Sequence, residues 1–177
     1  MGTTNKFSIA ETPNGLYFID DTNKSINLIN DQLTNISDKL GFRSWCKTNL
    51  VGTDKWDSLY YNNFTTQYDN INKDVYFVGH YTSLCFSELL GQFTSFFNYE
   101  YTPYIFNIWD SLYSIKKGSD DTKLWELNKG EYNNFYGINK PFYTTLIVNP
   151  NPTLNKVFNT VEFRADSWDT TTSPKGL

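Results

Sequence analysis

The chain has 177 residues and a formal net charge of −4, and 39% of its residues are hydrophobic, 18% aromatic and 19% charged. This length accommodates one domain or part of a larger one, and the aromatic content excludes a disordered, charge-dominated chain. The acidic balance disfavours a protein that binds nucleic acid through its phosphates, and the 21 Asn and 20 Thr residues disfavour a helical bundle.

The first predicted element is a β-hairpin. Residues 15–20 and 25–29 have strand composition, and Asp-Thr-Asn-Lys at residues 21–24 is typical of a tight turn. After the hairpin, at most one short helix is predicted, near residues 37–48. Ser37 is its expected N-cap, and Gly41 limits its length.

The second predicted element is a four-stranded antiparallel meander. Strand composition recurs at residues 64–68, 74–78, 83–87 and 93–99, with short polar or glycine-containing turns between these stretches.

A weak repeat connects the hairpins. Residues 16–19 (Leu-Tyr-Phe-Ile) and 75–78 (Val-Tyr-Phe-Val) share one pattern, and residues 112–115 with 123–127 form a candidate third copy. Repeated small sheets are typical of propeller blades, although similar hairpins also arise by chance in an aromatic-rich chain. We therefore predict an all-β fold of antiparallel meander sheets that resemble β-propeller blades.

The last third of the sequence changes character. A buried strand is predicted at residues 140–148 and an alternating strand at residues 156–165. The domain prediction is an N-terminal tail (1–13), a β-rich domain (14–166) and a flexible C-terminal tail (167–177). Because a propeller needs more sheets than these to close, we expect the chain to be part of something longer.

The sequence predicts neither export nor membrane insertion. The first residues lack the apolar segment of a secretory signal, and no apolar run approaches the roughly 20 residues of a membrane-spanning helix. We therefore expect synthesis in a reducing cytoplasm, with Cys46 and Cys85 as two buried thiols. A single disulfide between them is the alternative.

No catalytic or metal-binding pattern is recognisable. His80 is the single histidine and lies in a predicted turn, and one histidine with two distant cysteines does not make a zinc site. The acidic pairs at residues 20–21 and 120–121 also fall in predicted turns, where Asp is ordinary. We therefore predict no enzyme activity, no catalytic, cofactor-binding or metal-binding residues, and no cofactor.

Two sets of side chains leave alternatives open. A glycosidase needs two facing carboxylates, and nothing selects a pair among Glu88, Glu100, Glu126, Glu131 and Glu162. Tryptophans can stack on sugars in a carbohydrate-binding module or fill a core or an interface, and packing is the interpretation we favour. The five tryptophans are Trp45, Trp56, Trp109, Trp125 and Trp168.

Five stretches of the chain carry a family resemblance: residues 74–78, 84–96, 123–126, 140–150 and 156–165. Together they resemble a large structural protein of crAss-like bacteriophages. The most specific parts are Leu-Gly-Gln-Phe-Thr-Ser-Phe at residues 90–96 and Val-Phe-Asn-Thr-Val-Glu-Phe-Arg-Ala at residues 157–165, and the likeness runs from about residue 14 to residue 168. Such proteins are known as stabilization or tail muzzle proteins.

The resemblance implies a non-enzymatic virion protein at the distal end of a phage tail, assembled in the host cytoplasm as a ring around the DNA exit channel. Its expected partners are copies of itself and other tail proteins, with no sequence-specific nucleic acid. Proteins of this family are much longer than 177 residues, so the resemblance also implies a partial-length chain. The alternative is a carbohydrate-binding module that recognises bacterial surface glycans, and a glycosidase ranks last.

Overall fold

The computed structural model describes residues 2–3, 5–50, 64–79, 82–99, 105–115, 123–145, 167–169 and 172–175. Most elements in these ranges are strands of antiparallel sheets, which confirms the predicted all-β class. The chain divides into two compact units, Met1–Phe142 and Tyr143–Leu177.

The first sheet is an antiparallel meander with the order β1-β2-β3-β4. Its strands are β1 (Ile9–Thr12), β2 (Gly15–Asp20), β3 (Ser25–Ile29) and β4 (Leu33–Asn35). The predicted hairpin is confirmed as β2 and β3. The edge strand β1, preceded by the 3-10 turn Lys6–Ser8, lies in the stretch predicted as an N-terminal tail.

The predicted short helix is present as two consecutive short segments, α1 (Ile36–Lys39) and α2 (Arg43–Asn49). Gly41 lies between them with φ +79°. The prediction of Ser37 as the N-cap is wrong, because Asn35 accepts the capping hydrogen bond from the Asp38 amide at 3.0 Å. Ser37 is buried instead, and its hydroxyl accepts a hydrogen bond from the Ile26 amide of β3.

The second sheet confirms the predicted meander, with the order β5-β6-β7-β8. Its strands are β5 (Phe64–Asp69), β6 (Asp74–Gly79), β7 (Ser83–Ser87) and β8 (Gln92–Phe97). The side chains of β6 are buried on both faces of the sheet. Val75 and Phe77 belong to one core, whereas Tyr76 and Val78 belong to another.

The third sheet has the order β11-β10-β9. Its strands are β9 (Ile105–Ile108), β10 (Ser111–Ile115) and β11 (Leu124–Glu126). The candidate third hairpin copy corresponds to β10 and β11, and β9 extends it. Strand β5 contacts both β1 and β9, so the first strands of three successive sheets are neighbours. Closure into a propeller stays a prediction.

Two apolar cores lie on the two faces of the second sheet. The first core joins that sheet to the first sheet and to the two helices, and the second core joins it to the third sheet. Cys46 belongs to the first core and Cys85 to the second, and both are buried free thiols, as predicted.

The remaining described elements are short hairpins. The first unit contains β12 (Asn134–Phe135) and β13 (Ile138–Asn139), and the second contains β14 (Ser167–Asp169) and β15 (Thr172–Lys175). The predicted buried strand at residues 140–148 is wrong over its described part, because residues 140–145 are exposed and outside any strand. Pro141 has no N–H to donate to a ladder. Residues 146–148 and the predicted strand at 156–165 lie outside the described residues.

Candidate binding cleft and contact surfaces

The tryptophans considered for sugar stacking differ in exposure. Trp109 occupies the turn between β9 and β10, is 95% exposed and has φ +56°. Trp125 on β11 is half-buried and packs edge-to-face on Tyr136 with 5.8 Å between ring centroids. The indole N–H of Trp125 is buried and has no hydrogen-bond partner among the described residues.

The position of Trp45 agrees with the interpretation that the tryptophans pack against the protein. Trp45 lies on α2 and is half-buried, with 5.7 Å between its ring centroid and that of Phe96 on β8. The neighbouring Phe42 contacts Phe93 of the same strand at 4.4 Å between centroids. Trp45 therefore helps to fasten the helical segment to the second sheet. Trp56 lies outside the described residues, and Trp168 lies on β14.

Glu88 connects two sheets. It lies in the turn after β7, and its carboxylate accepts a hydrogen bond from the Thr12 hydroxyl of β1 at 2.7 Å. Burial raises the pKa of Tyr17, and the negative charge of Glu88 raises it further. The same two causes raise the pKa of Tyr68 to about 12. Both phenols therefore stay neutral near pH 7, and Glu88 has a structural role between them.

The other candidate carboxylates are dispersed. Asp20 holds the turn after β2, Glu126 forms an ion pair with Lys129, and Glu131 lines the cleft described below. The candidates outside the described residues are His80, Glu100, Asp120, Asp121 and Glu162. Within the described ranges, no group of three or more His, Cys, Asp or Glu side chains is placed to hold a metal ion.

A cleft of about 660 Å³ lies beside the second core. One wall is the segment 125–137, and the opposite wall comes from β6 and from the end of β8 with the residues after it. The aromatic side chains that line the cleft are Tyr76, Phe97, Tyr99, Trp125, Tyr132, Phe135 and Tyr136. Several rings contact one another, as in the stacked pair Phe97 and Tyr99 at 5.4 Å.

Asn128 anchors the segment 125–137 to the second sheet. Its amide donates to the Asp69 carboxylate at 2.7 Å and to the Tyr76 hydroxyl at 3.3 Å, and its carbonyl oxygen accepts a hydrogen bond from the Tyr99 hydroxyl. Burial raises the pKa of both Tyr76 and Tyr99. The two phenols are therefore neutral at pH 7, so that the hydroxyl of Tyr99 remains a donor.

The same segment has an unusual backbone. Five of the ten residues from 128 to 137 have positive φ, three of them other than glycine: Asn128, Asn133 and Tyr136. A left-handed conformation is costly for a bulky residue, and such residues are retained where the surrounding structure fixes them. Tyr136 is held by a buried hydrogen bond between its hydroxyl and Ser114 at 2.9 Å.

Sequence reasoning did not find this cleft. The local signal was the high density of Asn, Gly and Tyr in residues 128–137, a composition that is equally typical of a loop. The residues on the opposite wall come from distant parts of the chain.

The part of the chain that the structure describes contains no helix that is both long and apolar enough to span a membrane.

Comparison with known proteins gives consistent matches over nearly the whole chain. Residues 1–118 match the family model of the Crassvirus muzzle protein, and residues 130–175 match that of the Crassvirus muzzle protein C-terminal domain. The muzzle protein of Bacteroides phage crAss001 is 48% identical over 169 residues, which are 96% of this chain and 12% of that protein. The chain thus spans about 12% of the length of this curated relative. These matches confirm the family resemblance seen in the sequence.

Proposed function

The chain belongs to the Crassvirus muzzle protein family, and on this premise we propose that it is a non-enzymatic structural protein of a bacteriophage tail. It joins the virion as a muzzle-type or stabilization subunit, after assembly in the host cytoplasm. The observation that carries the proposal is the 48% identity to the crAss001 muzzle protein over 96% of the chain.

The architecture supports an assembly role. Successive meander sheets stack through aromatic cores, and β5 contacts the first strands of both neighbouring sheets. This arrangement suits a propeller-like body to which further sheets are added. Closure then requires strands from outside these 177 residues.

Exposed apolar side chains provide surfaces for such contacts. Leu89 in the turn after β7 is 76% exposed, and Tyr132 beside the cleft is 95% exposed. Aromatic side chains such as Tyr132 are typical anchors of protein interfaces, and exposed aliphatic side chains add apolar area to them. The proposed partners are copies of this chain and neighbouring tail proteins.

The net charge of −4 suits a protein past which DNA moves without adhering, since phosphates are repelled. A filter-binding measurement checks this element of the proposal. We expect weak DNA binding at low ionic strength. Tight, salt-dependent binding would contradict the expectation.

The decisive experiment is to locate the chain in particles of the phage that encodes it. We expect mass spectrometry of purified virions to detect its peptides, and immunogold labelling to place an antibody against the chain at the distal end of the tail. A chain that is abundant in infected cells and absent from purified virions would overturn the proposal.

Carbohydrate recognition is the second candidate function, and the exposure of Trp109 favours it. A fully exposed indole offers a stacking face to a sugar ring, as in carbohydrate-binding modules. Trp109→Ala is therefore an informative variant in a glycan-array measurement. Trp125→Ala is less so, because the half-buried ring of Trp125 also supports the fold.

A further inference from the structure

We propose that the cleft walled by residues 125–137 is a binding site for a neutral saccharide. This inference rests on the second candidate function and gives it a site. The volume of about 660 Å³ is of the size that binds small ligands, and the lining combines apolar rings with a few polar groups, as such sites do.

The aromatic lining provides surfaces on which the C–H faces of a sugar ring can lie. Phe97, Tyr99 and Phe135 contact one another at the cleft, with centroid distances of 5.3 to 6.4 Å. Tyr132 lines the same cleft and is 95% exposed, so its ring remains free to cover a ligand. Rings at the floor and at the rim thus offer two places for stacking.

The polar lining matches hydroxyl groups. Asn133, Asn134 and Glu131 line the cleft and are exposed, and together they offer amide donors, amide acceptors and a carboxylate. A sugar hydroxyl both donates and accepts, so it pairs with each of these groups. An apolar ligand would form no hydrogen bond with any of them.

The charges of the lining select against anionic ligands. Lys129 is the single cationic residue in the described lining, and its ammonium is paired with Glu126. Glu131 adds a further negative charge. A phosphate or a sulfated sugar would therefore meet net repulsion, whereas a neutral hexose would not.

The wall of the cleft is held in place before any ligand arrives. Asn128 is fixed by Asp69 and Tyr99, and the left-handed Tyr136 is fixed through Ser114. Rigid positioning of this kind reduces the ordering cost of binding. Backbone strain retained in one short segment is typical of functional positions.

The test uses the full 177-residue chain and saturation-transfer NMR with lactose, maltose, chitobiose and mannobiose as probes. We expect transfer to at least one disaccharide. Two variants of exposed side chains remove lining groups at little cost to the fold: Tyr132→Ala and Asn133→Gly. Glycine suits the φ of +58° at residue 133, so this change deletes the amide and preserves the backbone.

We expect each variant to weaken saccharide binding several-fold to about tenfold, the value of one lost stacking contact or hydrogen bond. Phe142→Ala is the matched control, since Phe142 is an aromatic residue that is 75% exposed and lies outside the lining; its binding and its melting temperature should equal those of the wild type.

Three outcomes would overturn the proposal that the cleft binds a saccharide. They are no transfer to any disaccharide, binding that survives both variants, and binding lost in Trp109→Ala but kept in Tyr132→Ala. The last outcome would move saccharide recognition to the β9–β10 turn and leave the second candidate function standing. None of them affects virion location, which immunogold labelling tests separately.

Discussion

Asp20 and Asp69 hold the same kind of turn in two successive sheets. The Asp20 carboxylate at the end of β2 accepts hydrogen bonds from the amides of Thr22 and Asn23 at 3.0 and 3.1 Å, and from the Asn23 side chain at 2.8 Å. Asp69 at the end of β5 accepts the same three bonds, at 2.9, 3.2 and 2.8 Å, from the residues two and three positions later. The two sheets therefore share a turn sequence, Asp-x-x-Asn-Lys, with the lysine in the left-handed conformation.

We expect Asp20→Ala and Asp69→Ala each to lower the free energy of unfolding by about 2–3 kcal/mol, because charged acceptors are lost and amides at the turn are left unpaired. Urea denaturation followed by tryptophan fluorescence measures the change. Asp31→Ala is the control, since Asp31 is an exposed turn residue, and it should stay within about 0.5 kcal/mol of the wild type. Equal losses of unfolding free energy in all three variants would show that the hydrogen bonds of Asp20 and Asp69 do not stabilise the fold.

Asp20 also makes stability depend on pH with a definite sign. Burial raises its pKa, but hydrogen bonds from Asn23, Thr22 and Gly2 outweigh burial and hold the pKa below its ordinary value. The folded state therefore favours the carboxylate. This stabilisation is fully present above the unfolded pKa of about 4 and is lost as the pH falls through the lower folded pKa.

The difference in unfolding free energy between the wild type and Asp20→Asn should consequently be largest near pH 7 and should shrink toward pH 3. Denaturation series at several pH values give this difference directly. If this difference grew as the pH fell, the folded state would favour the protonated form of Asp20 instead.

The hairpins could be predicted because their determinants are local. Asp and Asn in a short turn between two apolar runs predict both β2–β3 and β5–β6 without knowledge of the rest of the fold. Strands β1 and β9 were not predicted, because each has four residues and is defined by its partner strand. Their short apolar patterns are too brief to distinguish a strand from a loop.

The helix cap and the cleft depend on contacts between distant residues. Ser37 looks like an N-cap in sequence, but the Ile26 amide, eleven positions earlier, takes its hydroxyl as an acceptor. Asn128 reaches Asp69 across 59 positions, and no local pattern specifies that pairing. Sequence reasoning therefore found the β2–β3 hairpin and the second sheet and missed the cleft.

The buried indole N–H of Trp125 makes a distinctive prediction. Within the described ranges this N–H has no hydrogen-bond partner. A buried donor of this kind costs about 1–3 kcal/mol, and phenylalanine removes it while keeping an aromatic ring against Tyr136. We expect Trp125→Phe to be within about 1 kcal/mol of the wild type because the lost contact area and the relieved donor offset each other. Trp125→Ala should cost about 2–4 kcal/mol.

Thermal denaturation by circular dichroism compares the two variants. A loss of well over about 1 kcal/mol in Trp125→Phe would contradict the unpaired indole N–H.

The two thiols should be unreactive in the folded protein. Burial raises the pKa of Cys46 to about 11 and that of Cys85 to about 12, so both remain thiols at neutral pH. We expect a negligible reaction with an aromatic disulfide reagent under native conditions and a reaction of both cysteines in concentrated guanidinium chloride. Fast native labelling at pH 7 would contradict the burial of that cysteine.

Among the described glycines, Gly15 has the closest approach of a neighbouring backbone atom to an added Cβ. Its φ is +136°, and an added Cβ would lie 2.3 Å from the carbonyl oxygen of Ile29 on the neighbouring strand β3. We expect Gly15→Ala to lower the free energy of unfolding by about 2–4 kcal/mol, since both the backbone conformation and the strand spacing must change.

Gly91→Ala is the matched control, with φ +65° and no atom within 4 Å of the added Cβ. It should cost only about 1–2 kcal/mol, from the left-handed conformation alone. Urea denaturation of the two variants side by side measures the difference, and equal losses would show that β3 yields to the methyl group without cost.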